Sequence, residues 1–240
     1  MNRASRAVVV GISGPDGAGK STLVRSLVDD EAAGGAPIAQ AHLYGCFICR
    51  GRSKPLELPT RAGALEGRLR GVLAMISGAA LRAHALLDAF ELSLVLKRAK
   101  RRARRGHPPR TDTTDEAPGL ADGVPLVVTD RSPLDGLVKH HPRSGSWIAQ
   151  AFLRSASRYS LIVLLDAPAA ALAARDNDHS VAELELARRR FLEWHQRLPN
   201  AVRVDATAPN AVLREQVRAL IRPHHARVRA SRPSLRRTNS

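Results

Sequence analysis

The chain has 240 residues, of which 44% are apolar, and this is enough to bury the core of one α/β domain. Its formal charge of +16 arises mainly from two runs without acids, 97–110 and 222–240, so the rest of the chain is nearly neutral. Two cysteines exclude a disulfide framework, and no apolar stretch approaches the ~20 residues of a membrane span. We therefore expect a soluble cytoplasmic protein without a membrane partner.

Five short apolar runs end in turn residues or acids and alternate with longer helical patterns. Runs that are apolar throughout are typical of strands covered on both faces. The predicted strands are residues 7–13, 37–44, 125–130, 160–166 and 201–205. With helices between them, these strands predict an α/β fold with a parallel five-stranded sheet flanked by helices.

The helical patterns are predicted from the same spacing of apolar residues. Residues 20–33 form the first helix, and 62–105 form a long helical insert, either two helices or one helix kinked near Ser77 and Gly78. Further helices are predicted at 144–159, 167–176, 180–198 and 208–221. We expect a mobile loop at 106–124 and a disordered basic tail at 222–240, which leaves 1–221 as the folded domain.

The stretch "GPDGAGKST" (14–22) lies between the first strand and the first helix. It fits the pattern G-x-x-x-x-G-K-[ST] of a phosphate-binding loop, in which backbone amides and a helix N-terminus face phosphate oxygens. Lys20 would bridge the outer phosphates and Ser21 would ligate Mg²⁺, which predicts ATP and Mg²⁺ as ligands. The predicted nucleotide-binding residues are Gly14, Asp16, Gly17, Ala18, Gly19, Lys20, Ser21 and Thr22. The alternative is a glycine-rich turn that only begins a helix.

The run "PLVVTDRSPLDGL" (125–137) is a buried strand that ends in Asp130 and Arg131. An acid at the carboxyl end of a parallel strand is placed to bind Mg²⁺ or to polarise an attacking oxygen. Arg131 would hold an acceptor phosphate or stabilise charge on a transferred group. The alternative is an Asp-Arg pair that begins a turn before Pro133.

The loop with its Asp16 and the strand followed by Asp-Arg resemble thymidylate kinases and their relatives among nucleoside and nucleotide kinases. The resemblance covers about residues 7–30 and 125–220. It implies a P-loop NTPase fold with a short arginine-bearing lid at about 175–190, and it gives Asp16 a contact to the sugar of the acceptor. It also implies a catalytic set of Lys20, Asp130, Arg131 and Arg175, with Ser21 and Asp130 at the metal.

The segment "LYGCFICRGRSKP" (43–55) departs from the family, whose Arg-Glu-Pro segment supplies an acid at this place. We expect an ATP-dependent phosphotransferase that acts on a nucleoside monophosphate or a nucleoside. Because of the departure, a kinase of a sugar or specialised metabolite stays open as an alternative.

Further alternatives concern partners and the long insert. The basic runs leave open a nucleotide-gated nucleic-acid-binding module, although the absence of a recognisable motif makes nucleic acid an unexpected partner. A homodimer is also left open. For Phe90 in the insert, the resemblance implies stacking on an acceptor base. An apolar residue on a helix is more often buried, which favours a place for Phe90 in the core.

Overall fold

The computed structural model describes residues 7–42, 66–105 and 123–231. Within them the five predicted strands are present as β1 (Val8–Ser13), β2 (Ile38–His42), β3 (Leu126–Asp130), β4 (Leu161–Asp166) and β5 (Ala201–Asp205). All pairings are parallel, and the strand order is β2-β3-β1-β4-β5. The prediction of an α/β fold with a parallel five-stranded sheet flanked by helices is therefore confirmed.

Seven helices are described between and after these strands. They are α1 (Lys20–Ala33), α2 (Glu66–Arg105), α3 (Pro133–His140), α4 (Trp147–Ala156), α5 (Ala169–Ala173), α6 (Val181–His195) and α7 (Asn210–Ala230). Helix α1 has the predicted bounds. Helix α3 was not predicted, and it begins with a capping box in which Ser132 and Asp135 each accept from the other's backbone.

Apolar helix faces cover both sides of the sheet. Alternate residues of β1 point to opposite faces, so Val8, Val10 and Ile12 pack with α1 and α7, while Val9 packs with α2, α3 and α4. This two-sided cover explains why the strands are apolar throughout instead of alternating. The remaining polar groups of the strands are concentrated where the strands end.

The carboxyl ends of the central strands meet at one edge of the sheet. Strand β1 lies between β3 and β4, and its chain continues through α1 toward β2, whereas β4 continues toward β5 on the other side. Neighbouring strands whose connections leave in opposite directions open a crevice at the carboxyl edge, which is where ligands bind in open α/β sheets. Ser13, Asp130 and Asp166 are the last residues of the three strands.

Helix α2 is one helix of 40 residues through Ser77 and Gly78, and residues 62–65 of the predicted insert lie outside the described part of the chain. Phe90 is 63% exposed, so the prediction of a core residue is wrong. Even with this length, neither α2 nor any other helix among the described residues has the length and hydropathy of a membrane span.

The prediction of a disordered tail from residue 222 is wrong for residues 222–230. Helix α7 continues through Pro223 to Ala230, because Leu213, Val217 and Ile221 are buried against the sheet and Val228 extends this apolar side past 222. Residues 232–240 lie outside the described part. So does nearly all of the loop predicted to be mobile, since only 123 and 124 of residues 106–124 are described.

Candidate functional site

The glycine loop, defined here as residues 14–19, joins the end of β1 to the start of α1. Its glycines Gly14, Gly17 and Gly19 all have positive φ angles, of 150°, 78° and 83°. At two of them a side chain also has no room. A Cβ atom on Gly14 would lie 2.5 Å from the carbonyl oxygen of Leu165, and one on Gly17 would lie 2.6 Å from that of Leu172. The loop therefore lies directly against the backbone of β4 and of α5.

We expect Gly17→Ala to deform the loop and to lower the free energy of unfolding more than Gly35→Ala does. Gly35 has nearly the same φ, 75°, but open space around it, so its alanine variant carries only the left-handed strain, about 1–2 kcal/mol. Gly17→Ala adds a backbone clash of about 1–3 kcal/mol. Urea unfolding of both variants measures the difference, and equal losses would contradict the close approach.

The first turn of α1 opens toward the glycine loop. The amides of Lys20, Ser21 and Thr22 precede the first bond of the helix ladder, which Leu23 donates to the carbonyl of Gly19. Gly19 stands at the N-cap and has no side chain to accept from these amides. In α3, α4 and α6 a serine at the N-cap accepts such a bond. The start of α1 thus offers its amides and the positive end of its dipole to another acceptor.

Lys20 is 6% exposed and folds back into the glycine loop. Its Nζ donates to the carbonyls of Gly14 and Pro15 at 2.8 and 2.7 Å, and lies 3.2 Å from Asp16 Oδ1. A buried ammonium must satisfy its three donors, and here the loop itself supplies the acceptors. The same donors are available to an anion that enters the loop.

Asp16 is held between two cations. Arg131 Nη2 lies 3.4 Å from Asp16 Oδ1, on which Lys20 also acts. Burial alone would raise the pKa of the Asp16 carboxyl, but the charges of Lys20 and Arg131 outweigh this and hold the pKa below its usual value. Asp16 is therefore ionised at neutral pH, and it connects the glycine loop to the end of β3.

Asp130 ends β3 as a buried carboxylate with one oxygen in use and one without a partner. Its Oδ2 accepts from Ser21 Oγ at 2.7 Å and lies 3.1 Å from His42 Nδ1. Its Oδ1 is buried and finds no hydrogen-bond partner among the described residues. A buried carboxylate oxygen without a partner is costly, which points to a water molecule, a cation or a ligand at this position. The contact of His42, at the end of β2, was not predicted.

Arg131 has a backbone conformation that is unusual for a side-chain-bearing residue, with φ of 74°. Its backbone is fixed on both sides, since its amide donates to the carbonyl of Ile12 and its carbonyl accepts from Thr129 Oγ1 at 2.7 Å. Such strain persists only where the surroundings impose it. The result is that the guanidinium leaves β3 toward the glycine loop.

A buried polar network that sequence reasoning missed lies behind the loop. Asp135 Oδ2 accepts from Ser13 Oγ at 2.6 Å and from the amide of Ser132 at 2.8 Å. The hydroxyls of Ser13 and Ser132 lie 2.6 Å apart. These bonds link the last residue of β1 to the first turn of α3 and thereby fix the spacing of the two strand ends. The pattern S-x-x-D at 132–135 was a usable signal for it.

We expect Asp135→Asn to gain stability over the parent as the pH rises. Burial raises the pKa of Asp135, so the folded state holds this proton more tightly than the unfolded chain does. In the parent, the stabilisation from protonated Asp135 is fully present below the pKa of this carboxyl in the unfolded chain. It is lost as the pH rises through the pKa in the folded state. Urea unfolding between about pH 4 and 8 measures the difference. A difference that is independent of pH would contradict the prediction.

Asp135→Ala is the matched control for the loss of the acceptor. It leaves the Ser13 hydroxyl and the Ser132 amide without an acceptor, so we expect it to be less stable than Asp135→Asn by about 1–3 kcal/mol at every pH.

The segment between α5 and α6 approaches the glycine loop with Asp176 and not with Arg175. A Cβ atom on Gly17 would lie 3.3 Å from the Cβ atom of Asp176. The carboxylate of Asp176 accepts a hydrogen bond of 2.7 Å from His179 Nδ1. This hydrogen bond raises the pKa of His179. The Arg175 guanidinium instead donates to the carbonyl of Ala206 at 2.9 Å, in the connection from β5 to α7.

A cavity of about 510 Å³ lies at the ends of β4 and β5. It is lined by Asp166, Ala167, Pro168, Arg188, Arg203, Asp205 and Thr207. Arg188 contacts Asp166 with two nitrogens, at 2.7 and 3.2 Å, and Arg203 Nη2 lies 2.7 Å from the same carboxylate. Two guanidinium groups thus share one buried acid, and with Asp205 the lining carries two acids and two arginines, so its formal charges balance. Of the arginines 188–190, Arg188 is the one directed to this edge, since Arg189 pairs with Glu185 and Arg190 contacts His141.

The predicted site residues form one group with a single exception. The glycine loop, Lys20, Ser21, Asp130 and Arg131 meet at the carboxyl ends of β1 and β3. Thr22 is exposed on the first turn of α1 and Ala18 is buried in the loop. Arg175 lies apart from this group, and its guanidinium contacts the carbonyl of Ala206 in the connection after β5. The two cysteines of the chain, Cys46 and Cys49, are outside the described residues.

Two comparisons with known proteins give no match. No protein-family model matches the chain, and a search of curated proteins finds no significant relative. The fold and the site therefore define only a class, an α/β protein with a five-stranded parallel sheet and a polar, charged site at its carboxyl edge.

Proposed function

We propose that the protein is an ATP-dependent phosphotransferase with a P-loop, resembling thymidylate kinases in its donor site. One observation carries the proposal. The buried ammonium of Lys20 lies in a loop of glycines with positive φ, at the start of a helix whose N-cap has no side chain to accept from the first-turn amides, next to the pair of Ser21 and Asp130. Phosphoryl transfer needs these groups because it is catalysed mainly by positioning and charge neutralisation.

The donor phosphates would occupy the glycine loop. Backbone amides of the loop and of the first turn of α1 would bind the phosphate oxygens, and Lys20 would exchange its carbonyl acceptors for them. This exchange needs little further desolvation of the ammonium, because Lys20 is already buried. The loop is thus prepared for an anion before the anion arrives.

Ser21 and Asp130 fit a magnesium ion that accompanies the donor. A hydroxyl and a carboxylate are oxygen ligands, which Mg²⁺ prefers, and the buried Oδ1 of Asp130 lacks a partner among the described residues. The described chain contains no group of three His, Cys, Asp or Glu side chains able to hold a metal alone, so phosphate oxygens and water would complete the shell. When bound, the ion would neutralise charge on the donor phosphates.

The cavity beside β4 and β5 is the place we propose for the nucleoside end of the donor. The cavity is adjacent to the glycine loop along β4. Leu165 lies against Gly14, and Ala167, two residues further on, lines the cavity. In this arrangement Arg175 would hold the connection after β5, and residues 175–190 would form the arginine-bearing lid. Arg188 would act from the lid at the cavity wall.

The acceptor would bind on the opposite side of the loop, toward β2 and β3. Asp16, Arg131 and His42 face this side from three different elements. Arg131 suits an anionic acceptor such as a nucleoside monophosphate, whose oxygen attacks the γ-phosphorus without needing a strong base. His42 favours the second candidate, a hydroxyl acceptor such as a sugar or a specialised metabolite, since its ring can hydrogen-bond a hydroxyl.

A panel of acceptors tests the proposal and separates its two forms. Full-length protein is incubated with ATP and Mg²⁺ and with nucleoside monophosphates, nucleosides or sugars, and ADP release is measured. We expect release that depends on one class of acceptor. Release with a nucleoside monophosphate or a nucleoside selects the first form, and release with a sugar or another non-nucleotide alcohol selects the second candidate. No acceptor-dependent release with any class would contradict both.

A further inference from the structure

The outward face of α2 carries an exposed apolar group next to a strongly basic one. Leu87, Phe90 and Leu94 are 43%, 63% and 39% exposed and follow one another at helical spacing. We call them the apolar stripe. On the opposite side of the helix, the buried residues Ala85, Ala89, Leu92, Leu96, Ala99 and Ala103 fix α2 to the domain. Packing against the domain therefore accounts for one face of α2 and not for the other.

The same outward face becomes cationic toward the C-terminus of α2. Residues 97–105 contain seven Lys and Arg and no acid, and six of the seven are exposed: Lys97, Arg98, Arg101, Arg102, Arg104 and Arg105. Arg158, which donates to Ser93 Oγ, adds a further cation from the neighbouring segment. We call this group the basic end. Burial first, and then the charges of Arg104 and Arg158, lower the pKa of Lys100.

The acids on this part of α2 do not neutralise the face. Asp88 and Glu91 are the two acids between residues 85 and 105. Asp88 is buried and accepts from Lys139 Nζ at 3.0 Å, with His140 Nε2 at 2.7 Å from the same oxygen. Glu91 is half-buried, so these two acids are too few to balance the seven Lys and Arg of residues 97–105. A partner that covers this face must therefore offer negative charge to the basic end and apolar surface to the neighbouring apolar stripe.

We propose that this face of α2 docks on the surface of an anionic lipid bilayer, with the apolar stripe inserted among the acyl chains and the basic end on the headgroups. The proposal is independent of the proposed function, and it revises the expectation of no membrane partner, since α2 would lie on the membrane without crossing it. An amphipathic helix with clustered Lys and Arg and adjoining Leu and Phe has this property.

Charge and apolar content together favour a bilayer over the two other occupants. A nucleic acid duplex would satisfy the basic end but offers no apolar surface to the stripe. A second copy of the chain would cover the stripe but would bring a second basic end without a complementary acidic one. A bilayer with anionic lipid supplies both components and adapts its shape to the helix.

Flotation of the full-length protein with vesicles tests the proposal. We expect binding to phosphatidylcholine vesicles that contain about a third phosphatidylglycerol, weaker binding at high salt, and much weaker binding to pure phosphatidylcholine. Arg98→Gln, Arg101→Gln and Arg105→Gln together should weaken binding about 100-fold. The control variant removes the same charge from α1 and α7, on the other face of the sheet, and should retain most of the vesicle binding. It carries Arg25→Gln, Arg222→Gln and Arg227→Gln.

A second variant tests insertion of the stripe. Leu87→Ser, Phe90→Ser and Leu94→Ser should keep the far-UV circular dichroism spectrum and lose the part of vesicle binding that resists salt. Three outcomes would overturn the proposal. The first is an equal loss of vesicle binding in the two arginine variants. The second is tighter binding of duplex DNA than of vesicles, with no effect of the serine substitutions. The third is a dimer that the serine substitutions abolish, while neither the parent nor the serine variant binds vesicles.

Discussion

Lys20→Met is expected to lower ATP turnover at least about 100-fold and to weaken ATP binding. Methionine fills much of the space of the lysine side chain but removes the ammonium, whose donors now contact the carbonyls of Gly14 and Pro15. A preorganised donor aimed at developing charge is worth about 100- to 1000-fold in rate. Acceptor-dependent ADP release under saturating ATP measures the loss.

The control for Lys20→Met is Lys97→Met, which removes a lysine from the exposed surface of α2. We expect it to leave turnover unchanged. Because Lys20 also holds the loop together, thermal unfolding of both variants is needed to separate a lost fold from a lost catalytic group. A folded Lys20→Met protein that keeps more than a tenth of the parent's turnover would contradict the role of the loop.

Asp130→Asn is expected to shift the Mg²⁺ dependence of the reaction. Asparagine keeps the size of the side chain and an oxygen that can accept from Ser21 Oγ, but it loses the charge that would attract the ion. Changing a group that supports a metal typically costs about 10- to 100-fold in affinity. ADP release titrated with Mg²⁺ should therefore reach half its maximum at a concentration higher by this factor.

Asp29→Asn serves as the control, since Asp29 is an exposed acid on α1. Its Mg²⁺ titration should coincide with that of the parent. Calorimetry of ATP binding with and without Mg²⁺ gives a second readout that does not depend on turnover. If Asp130→Asn and the parent respond to Mg²⁺ alike in both measurements, Asp130 does not support the ion.

The parts of the fold that could be predicted are those in which local sequence and burial agree. The strands were predictable because both faces of the sheet are covered, so their residues are apolar without alternation. The bounds of α1 followed from Gly19 at one end and Gly34 at the other. Helix α3 escaped because it has eight residues and its capping serine stands in a stretch interpreted as part of the site.

The parts that could not be predicted depend on which face a neighbour covers. Helix α2 has apolar residues on two sides, and periodicity alone does not tell that the side with Phe90 is exposed. The composition of residues 222–230 indicates disorder, yet the apolar side of α7 continues to Val228 and keeps the helix on the sheet. Tertiary packing outweighed composition in the second case.

Within the site, the sequence predicted positions along the chain better than directions of side chains. The loop and Asp130 meet because the ends of adjacent parallel strands must meet. Arg175 lies at the expected place in the chain but its guanidinium turns to the carbonyl of Ala206. His42 was missed because its contact joins residues far apart in sequence, about which a single chain without its fold gives no signal. For Asp135 the local S-x-x-D pattern was available, but it does not tell that the carboxylate also reaches Ser13.

The central claim is that the glycine loop binds the phosphates of a nucleotide, and calorimetric titration with ATP in the presence of Mg²⁺ tests it most directly. We predict saturable binding at one site, weakened by Lys20→Met and unchanged by Lys97→Met. Absence of binding by the folded parent protein at millimolar ATP would contradict the claim.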